Sequence, residues 1–253
     1  MKKKTFLNQN FPLNVCMVQA DNPQRIKALM DYSLPLGAEA FGIQLCRMKP
    51  QNRNKDVYKE LFEYSEKPIY VTNYRSAENG AKNDEALANE LIELADCGAT
   101  LCDVMGDYFD ECESQLTMKG EAIQKQMRLI DELHKIGKEV IMSSHVMKFT
   151  PAEEVLKIAF EHKRRGADIS KIVTYAENMR QQIENMRIAN ILKEELGIPF
   201  LFLSGGECHI FRRLAWSLGN CMSLCVYEHD HLATPAQPLL SDMIQLQKIL
   251  GVK

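Results

Sequence analysis

Asn14-Val15-Cys16-Met17-Val18 runs into Gln19-Ala20-Asp21-Asn22-Pro23, and this junction decides between the two folds the sequence allows. A short apolar run bounded by turn-forming residues reads as a buried strand. Seven more such runs follow, at residues 40–46, 68–73, 100–105, 139–143, 169–174, 199–203 and 221–227. Helix periodicity fills the gaps, for example at 85–97, 121–135, 151–165 and 179–196. Gly98, Gly137, Gly166 and Gly197 each stand just after such a segment. Glycine there relieves the left-handed strain of a helix end, so these are stop signals. Strands alternating with helices give either a closed parallel barrel or an open doubly wound sheet. A dinucleotide-binding sheet would carry Gly-x-Gly-x-x-Gly after its first strand, where this chain has Ala20-Asp21-Asn22-Pro23. The expected fold is therefore a single (β/α)8 barrel domain over residues 1–253.

Composition agrees with one such domain. The chain has 253 residues, 45% of them hydrophobic, enough to bury a large core. A net charge of −3 gives no electrostatic reason to expect nucleic acid or an anionic membrane as partner. Residues 1–10 lack the apolar region of a secretory signal, and no apolar run is long enough to span a bilayer, so a cytoplasmic protein is expected. The eight cysteines lie scattered in apolar stretches without a Cys-x-x-Cys pair, which fits buried free thiols better than a zinc site.

In a barrel the carboxyl ends of the strands carry the chemistry. Those ends supply Gln44, Cys46, Arg75, Asp103, Met105, His145, Lys171, Ser204-Gly205-Gly206, Arg213 and Gln237. Lys171 interrupts the apolar stretch Ile169-Ser170-Lys171-Ile172-Val173, and strict alternation turns it to the same face as Ile169 and Val173. A buried ammonium is costly, and nearby cations such as Arg75 and Arg213 would also favour the neutral amine that attacks a carbonyl. The competing reading is a structural lysine that snorkels to the mouth or pairs with Asp103. His145 ends the neighbouring run, Val140-Ile141-Met142-Ser143-Ser144-His145, within reach of a strand about 4.8 Å away. Its ordinary pKa, near 6.5, suits acid–base work, although a lone strand-end histidine is more often structural. Arg213, after a glycine-rich turn and at the expected start of the seventh helix, suits a carboxylate; Arg212 is expected to be a solvated surface charge. His229-Asp230-His231 offers three metal-ligand types but reads better as a polar loop, so no metal is expected.

These segments together resemble the type I 3-dehydroquinases, a family of Schiff-base barrel enzymes. Residues 140–145 look like the segment of the catalytic histidine, and Gly166-Ala167-Asp168-Ile169-Ser170-Lys171-Ile172 like that of the imine-forming lysine. Ser204-Gly205-Gly206 with Arg213-Leu214-Ala215 resembles the turn and arginine that bind the substrate carboxylate. Thr72-Asn73-Tyr74-Arg75-Ser76-Ala77 is similar to the motif of a second substrate arginine, and Ala233-Thr234-Pro235-Ala236-Gln237 to the closing loop with its glutamine. The resemblance implies a hydro-lyase that converts 3-dehydroquinate to 3-dehydroshikimate, on the shikimate route to aromatic amino acids. It implies Lys171 and His145 as catalytic residues, with Arg75, Arg213, Gln237, Gln44 and Thr234 binding substrate. The expected partners are a small hydroxy-keto carboxylic acid and a second copy of the chain in a homodimer, with no cofactor.

The chain departs from the family on the side that reads hydroxyls. Gln44-Leu45-Cys46 stands where the family has Glu-x-Arg, and Arg47, one residue along a strand, would face the other way. Asn79 replaces the glutamate that orients the histidine, Asp103-Val104-Met105 replaces Asp-x-Glu, and Ala233 replaces a serine, with Thr234 next to it. A Schiff-base lyase or aldolase for a related hydroxy-keto acid, or a non-catalytic ligand-binding relative, are the alternatives.

Overall fold

The computed structural model describes residues 4–7 and 12–251, so much of the amino-terminal stretch 1–10 lies outside the described residues. Strands and helices alternate as expected. The strands are β1 (Leu13–Met17), β2 (Ala40–Gln44), β3 (Ile69–Thr72), β4 (Leu101–Met105), β5 (Glu139–His145), β6 (Ile169–Tyr175), β7 (Phe200–Gly205) and β8 (Met222–Cys225). The helices are α1 (Pro23–Ser33), α2 (Lys55–Glu63), α3 (Asp84–Asp96), α4 (Gly120–Lys135), α5 (Ala152–Arg164), α6 (Met179–Glu195), α7 (Ile210–Leu214) and α8 (Leu240–Ile249). The sheet order is β7-β6-β5-β4-β3-β2-β1-β8, which is the (β/α)8 barrel class.

Local chemistry sets the boundaries. The Asn22-Pro23 pair that replaces a nucleotide-binding glycine starts α1: the Asn22 side chain accepts from Arg25 N–H, and proline occupies the first turn. Asn54, Asn83 and Asn178 cap α2, α3 and α6 in the same way, each cap contributing on the order of 1 kcal/mol. At the other ends, Gly98, Gly137, Gly166 and Gly197 all have positive φ, as the stop signals require.

The contacts divide the chain into two compact units. One holds the residues up to Asp103, Lys135–Glu139 and the segment from Leu224 onward. Its strands pair in register, Val15 with Ala40, Gln44 with Thr72 and Val71 with Cys102. Its core includes Ile26, Met30, Phe41, Ile43, Leu61, Leu87 and Leu91, all buried. The other unit holds Val104–His134 and Val140–Ser223. There, Val155, Ile158, Ile188 and Leu192 of α5 and α6 bury themselves against Ile172, Phe200 and Phe202 of β6 and β7. Each such side chain contributes roughly 1.5–3 kcal/mol by leaving water. Beyond β7, Cys221 N–H donates to Phe200 O at 2.9 Å. The Asn220 amide completes the edge, accepting from Phe202 N–H at 2.9 Å and donating to Phe202 O at 2.8 Å. Among the described residues, no helix is long and apolar enough to cross a membrane.

Candidate active site

The second unit carries the expected catalytic pair. Parallel pairing sets Lys171 of β6 opposite Ser143 of β5, and His145 opposite Val173. Side chains two apart share a face, so Lys171, Val173, Ser143 and His145 all project to the same side. Lys171 is 4% exposed and Ser143 2%, whereas Val173 and His145 are half-buried. The lysine therefore sits at the bottom of this face and the histidine nearer its open, carboxyl end. His145 is the last residue of β5.

A second histidine, which sequence reading passed over, braces this pair from behind. His162 of α5 is fully buried, with Nε2 3.0 Å from Ser144 Oγ and Nδ1 3.0 Å from Ser170 Oγ. These serines directly precede His145 and Lys171. Ser144 donates its proton to Gln115 O at 2.6 Å and so accepts from His162 Nε2–H. In a neutral ring Nδ1 is then the acceptor of the Ser170 hydroxyl.

Arg213 is not where a helix amino terminus could help it. Helix α7 has five residues before it tightens into a 3-10 turn, which puts Arg213 in its last turn. There it is exposed, with Nη1 3.3 Å from His209 O. Arg212, expected as a solvated charge, is instead half-buried with its Nε shielded from solvent. In a helix this short, periodicity is no guide to which arginine turns inward.

The first unit brings together three polar residues at its strand ends. Gln19, just beyond β1 and 3% exposed, donates from Nε2 to Gln44 Oε1 at 2.6 Å and to Thr234 Oγ1 at 2.9 Å. Its Oε1 accepts from Thr234 N–H at 2.7 Å. Gln19 was absent from the expected site, although it is the first polar residue after the first apolar run, the signal used on the other strands. Gln237 closes the loop that Thr234 begins, through a backbone bond to Thr234 O at 3.0 Å. It is 7% exposed, and its Oε1 is buried with no hydrogen-bond partner among the described residues. Such an acceptor is costly to leave unpaired, which marks it for a ligand donor.

The chain leaves strand geometry at Gln44: residues Leu45–Arg47 form a 3-10 turn. The alternation argument for Arg47 therefore does not apply. Cys46 is fully buried, with its Sγ 3.4 Å from Gln44 Nε2 and 3.3 Å from Ser76 Oγ. Arg75 is held by Asp84 through two bonds of 2.7 and 2.8 Å, so its charge is already matched in this structure. Asn79 braces the β3 loop, accepting from Arg53 Nη1 at 2.6 Å and donating to Asn73 Oδ1 and Tyr74 O. Asp103, 1% exposed, accepts from the Tyr70 and Tyr74 hydroxyls. Burial, with the Asp103 charge beside it, holds the Tyr70 hydroxyl pKa well above its ordinary value.

His229 and Asp230 brace the closing loop. His229 Nε2 lies 2.8 Å from Gln237 O, and Asp230 Oδ1 accepts from Leu232 and Ala233 N–H, each at 2.9 Å. Among the described residues, no group of three metal-ligating side chains is placed to hold an ion.

Known proteins resemble this chain in part of its sequence and in its fold. The 3-dehydroquinate dehydratase of Alkaliphilus oremlandii is 35% identical over 89 residues, 34% of this chain and 35% of that protein. That of Syntrophotalea carbinolica is 26% identical over 166 residues, 59% of this chain and 58% of its own. Both matches span less than two-thirds of the relative's length. Among solved structures, the 3-dehydroquinate dehydratase of Geobacillus kaustophilus superposes with a TM-score of 0.81 at 17% identity, covering 98% of this chain and 95% of that one. A type I 3-dehydroquinate dehydratase from Clostridium difficile, with covalent modified comenic acid, gives 0.79 at 18% identity, covering 99% and 98%. These two likenesses speak for the fold. The type I 3-dehydroquinase family matches residues 15–253, and the chain belongs to that family.

Proposed function

We propose that this chain is a hydro-lyase, a 3-dehydroquinate dehydratase working through an imine on Lys171. The observation that carries the reading is a buried lysine on the same face as His145 of the adjacent strand. The neutral amine of Lys171 adds to the substrate ketone, and loss of water gives an iminium ion. That ion is an electron sink, so the neighbouring C–H becomes acidic and His145 removes its proton to give an enamine. The enamine expels the β-hydroxyl, which His145 protonates as it leaves as water. Hydrolysis of the new iminium returns the Lys171 amine and frees 3-dehydroshikimate. Arg213 and the amide nitrogen of Gln237 donate to the carboxylate, the Gln237 oxygen is left to a substrate hydroxyl, Arg75 helps anchor the ring, and Gln44 and Thr234 contact ring hydroxyls. The working protein is one (β/α)8 domain, cytoplasmic and homodimeric in this reading.

Sodium borohydride with 3-dehydroquinate tests it, since reduction fixes the ligand mass on the attacking amine. The mass belongs on Lys171 alone, and Lys171→Ala should lose it; labelling of another lysine sinks the assignment. His145→Ala should still be trapped while turning over roughly 10²–10⁴-fold more slowly. A second reading, a related hydroxy-keto acid as substrate, is favoured by the uncharged Gln19–Gln44–Thr234 array. Turnover of authentic 3-dehydroquinate separates the two.

A further inference from the structure

Two adjacent glycines end β7 and start the turn after it, and they are there for different reasons. Gly206 has φ +86°, and a side chain there would begin 2.5 Å from Ala176 O, so its backbone requires glycine. Gly205 has no such conformational need. A Cβ on it would lie 3.0 Å from Cε2 and 3.2 Å from Cζ of the Tyr175 ring. The two residues are direct register partners at the carboxyl ends of β6 and β7. Glycine inside a strand is destabilising unless something uses the space, and here the tyrosine ring uses it.

Tyr175 stands on the Lys171 face of β6. Alternation puts Lys171, Val173 and Tyr175 on one side, with exposure rising from the buried lysine to the half-buried valine and tyrosine. Ile172 and Thr174, on the other side, are buried. A ring lodged over Gly205 is thus held on the Lys171 face of β6, nearer the carboxyl end than the lysine. Its hydroxyl makes no hydrogen bond among the described residues, so its donor and acceptor capacity is available to a ligand. In the first unit, by contrast, Gln19 already takes one of the two acceptor positions of the Gln44 carbonyl.

We infer that Tyr175 is a specificity-determining residue that touches the substrate, its phenol pairing with a hydroxyl of a polyhydroxylated cyclic keto acid and its position fixed by the missing side chain of Gly205. The inference rests on Lys171 being the imine-forming amine. A site built to pair a substrate hydroxyl discriminates through that bond, so removing the phenol oxygen weakens binding of the hydroxylated ligand.

The test is kinetic, with 3-dehydroquinate and borohydride trapping as the two readouts. Tyr175→Phe, which keeps the ring, should raise the Michaelis constant roughly ten-fold with a smaller change in kcat and an unaltered melting temperature. The substrate concentration needed to trap Lys171 should rise in parallel. Gly205→Ala should raise the Michaelis constant when Tyr175 is present and have little effect in a Tyr175→Ala background, because the clash is with the ring. An unchanged Michaelis constant in Tyr175→Phe overturns the assignment, whatever Gly205→Ala does. If the unaltered enzyme is trapped on Lys171 and Tyr175→Phe needs no more substrate, only the Tyr175 role falls. If the unaltered enzyme is not trapped at all, the imine reading falls and takes this one with it.

Discussion

His162 Nδ1 lies 3.0 Å from Ser170 Oγ, so a buried helix histidine is hydrogen-bonded to the residue directly before Lys171. The same ring reaches Ser144, directly before His145, at 3.0 Å. One side chain therefore ties β5 to β6 at the two positions whose neighbours are proposed to do the chemistry. His162→Phe keeps most of the volume and loses both bonds. Ser144 still has Gln115 O, but Ser170 loses the ring acceptor it uses here, at a cost of about 1–3 kcal/mol. For a chain of this size that lowers the melting temperature by roughly 2–4 °C per kcal/mol. Turnover measured well below that temperature should also fall, because the lysine and histidine lose their shared brace. Unchanged turnover with a lowered melting temperature would leave His162 a purely structural residue.

Gln19 invites the corresponding experiment in the first unit. Its amide makes three hydrogen bonds, to Gln44 and Thr234, and Gln19→Leu breaks all of them while preserving the apolar volume. Thr234 and Gln44 would lose their orientation. The Michaelis constant for 3-dehydroquinate should rise roughly ten-fold, the equivalent of one net hydrogen bond to substrate. Steady-state kinetics on folded protein decides it, and an unaffected Michaelis constant would place both residues outside the binding site.

The elements were legible because apolar runs, asparagine caps and glycine stops agree with one another, as at Asn22-Pro23 and Gly166. Lys171 stood out because a charge inside a β-branched run has few inexpensive explanations. What the sequence hid were pairings between distant positions. Arg53 reaches Asn79 across 26 residues, and Gln19 reaches Thr234 across 215, with no local pattern to announce either. Local geometry misled in two places. Strand β2 gives way to a 3-10 turn at Leu45, so alternation failed for Arg47; and α7 is too short to fix which of Arg212 and Arg213 faces out.

Asp84 competes with any substrate for Arg75. The pair is bidentate, at 2.7 and 2.8 Å, so an anionic or hydroxylated ligand has to share or displace the carboxylate. Asp84→Asn preserves shape and removes the charge, and should lower the Michaelis constant several-fold by releasing the guanidinium. Arg75→Ala should raise it by about ten-fold or more, since a hydrogen bond to a charged group is worth about 1.5–3 kcal/mol. If neither variant moves it, Arg75 belongs to the scaffold of the β3 loop.

The thiols predict an alkaline limit. Burial pushes the Cys16 pKa up from 9.0 to about 11, and those of Cys102 and Cys221 to about 12. A thiol that ionises at 9.0 when unfolded but only at 11–12 when folded favours the unfolded chain as pH rises. Stability is therefore intact below pH 9 and falls progressively from there toward pH 11–12. Iodoacetamide on the native protein near neutral pH should modify Cys112 and Cys208, the half-buried pair, and spare these three. Mass spectrometry of the peptides reads the outcome, and rapid modification of Cys102 or Cys221 would contradict their burial.

Restoring charge on β2 asks what the enzyme is tuned to bind. Gln44 accepts from Gln19 at 2.6 Å, and its own amide donates only weakly, to Cys46 sulfur at 3.4 Å. Gln44→Glu therefore keeps the accepted bond and gives up little. A carboxylate takes hydrogen bonds from ring hydroxyls roughly twice as strongly as an amide carbonyl does. Cys46→Arg is a poor companion change, because the sulfur is fully buried in a 3-10 turn between Gln44 and Ser76. An arginine there would bring a large, unpaired guanidinium into space filled by one sulfur, destabilising the fold by several kcal/mol. The informative variant is thus Gln44→Glu alone, and its Michaelis constant for 3-dehydroquinate should fall several-fold with the melting temperature maintained. A higher Michaelis constant in a well-folded Gln44→Glu protein would mean that the neutral glutamine is matched to a different hydroxy-keto acid. The same variant screened against keto acids differing in hydroxyl number would then find the substrate whose binding the added charge weakens most.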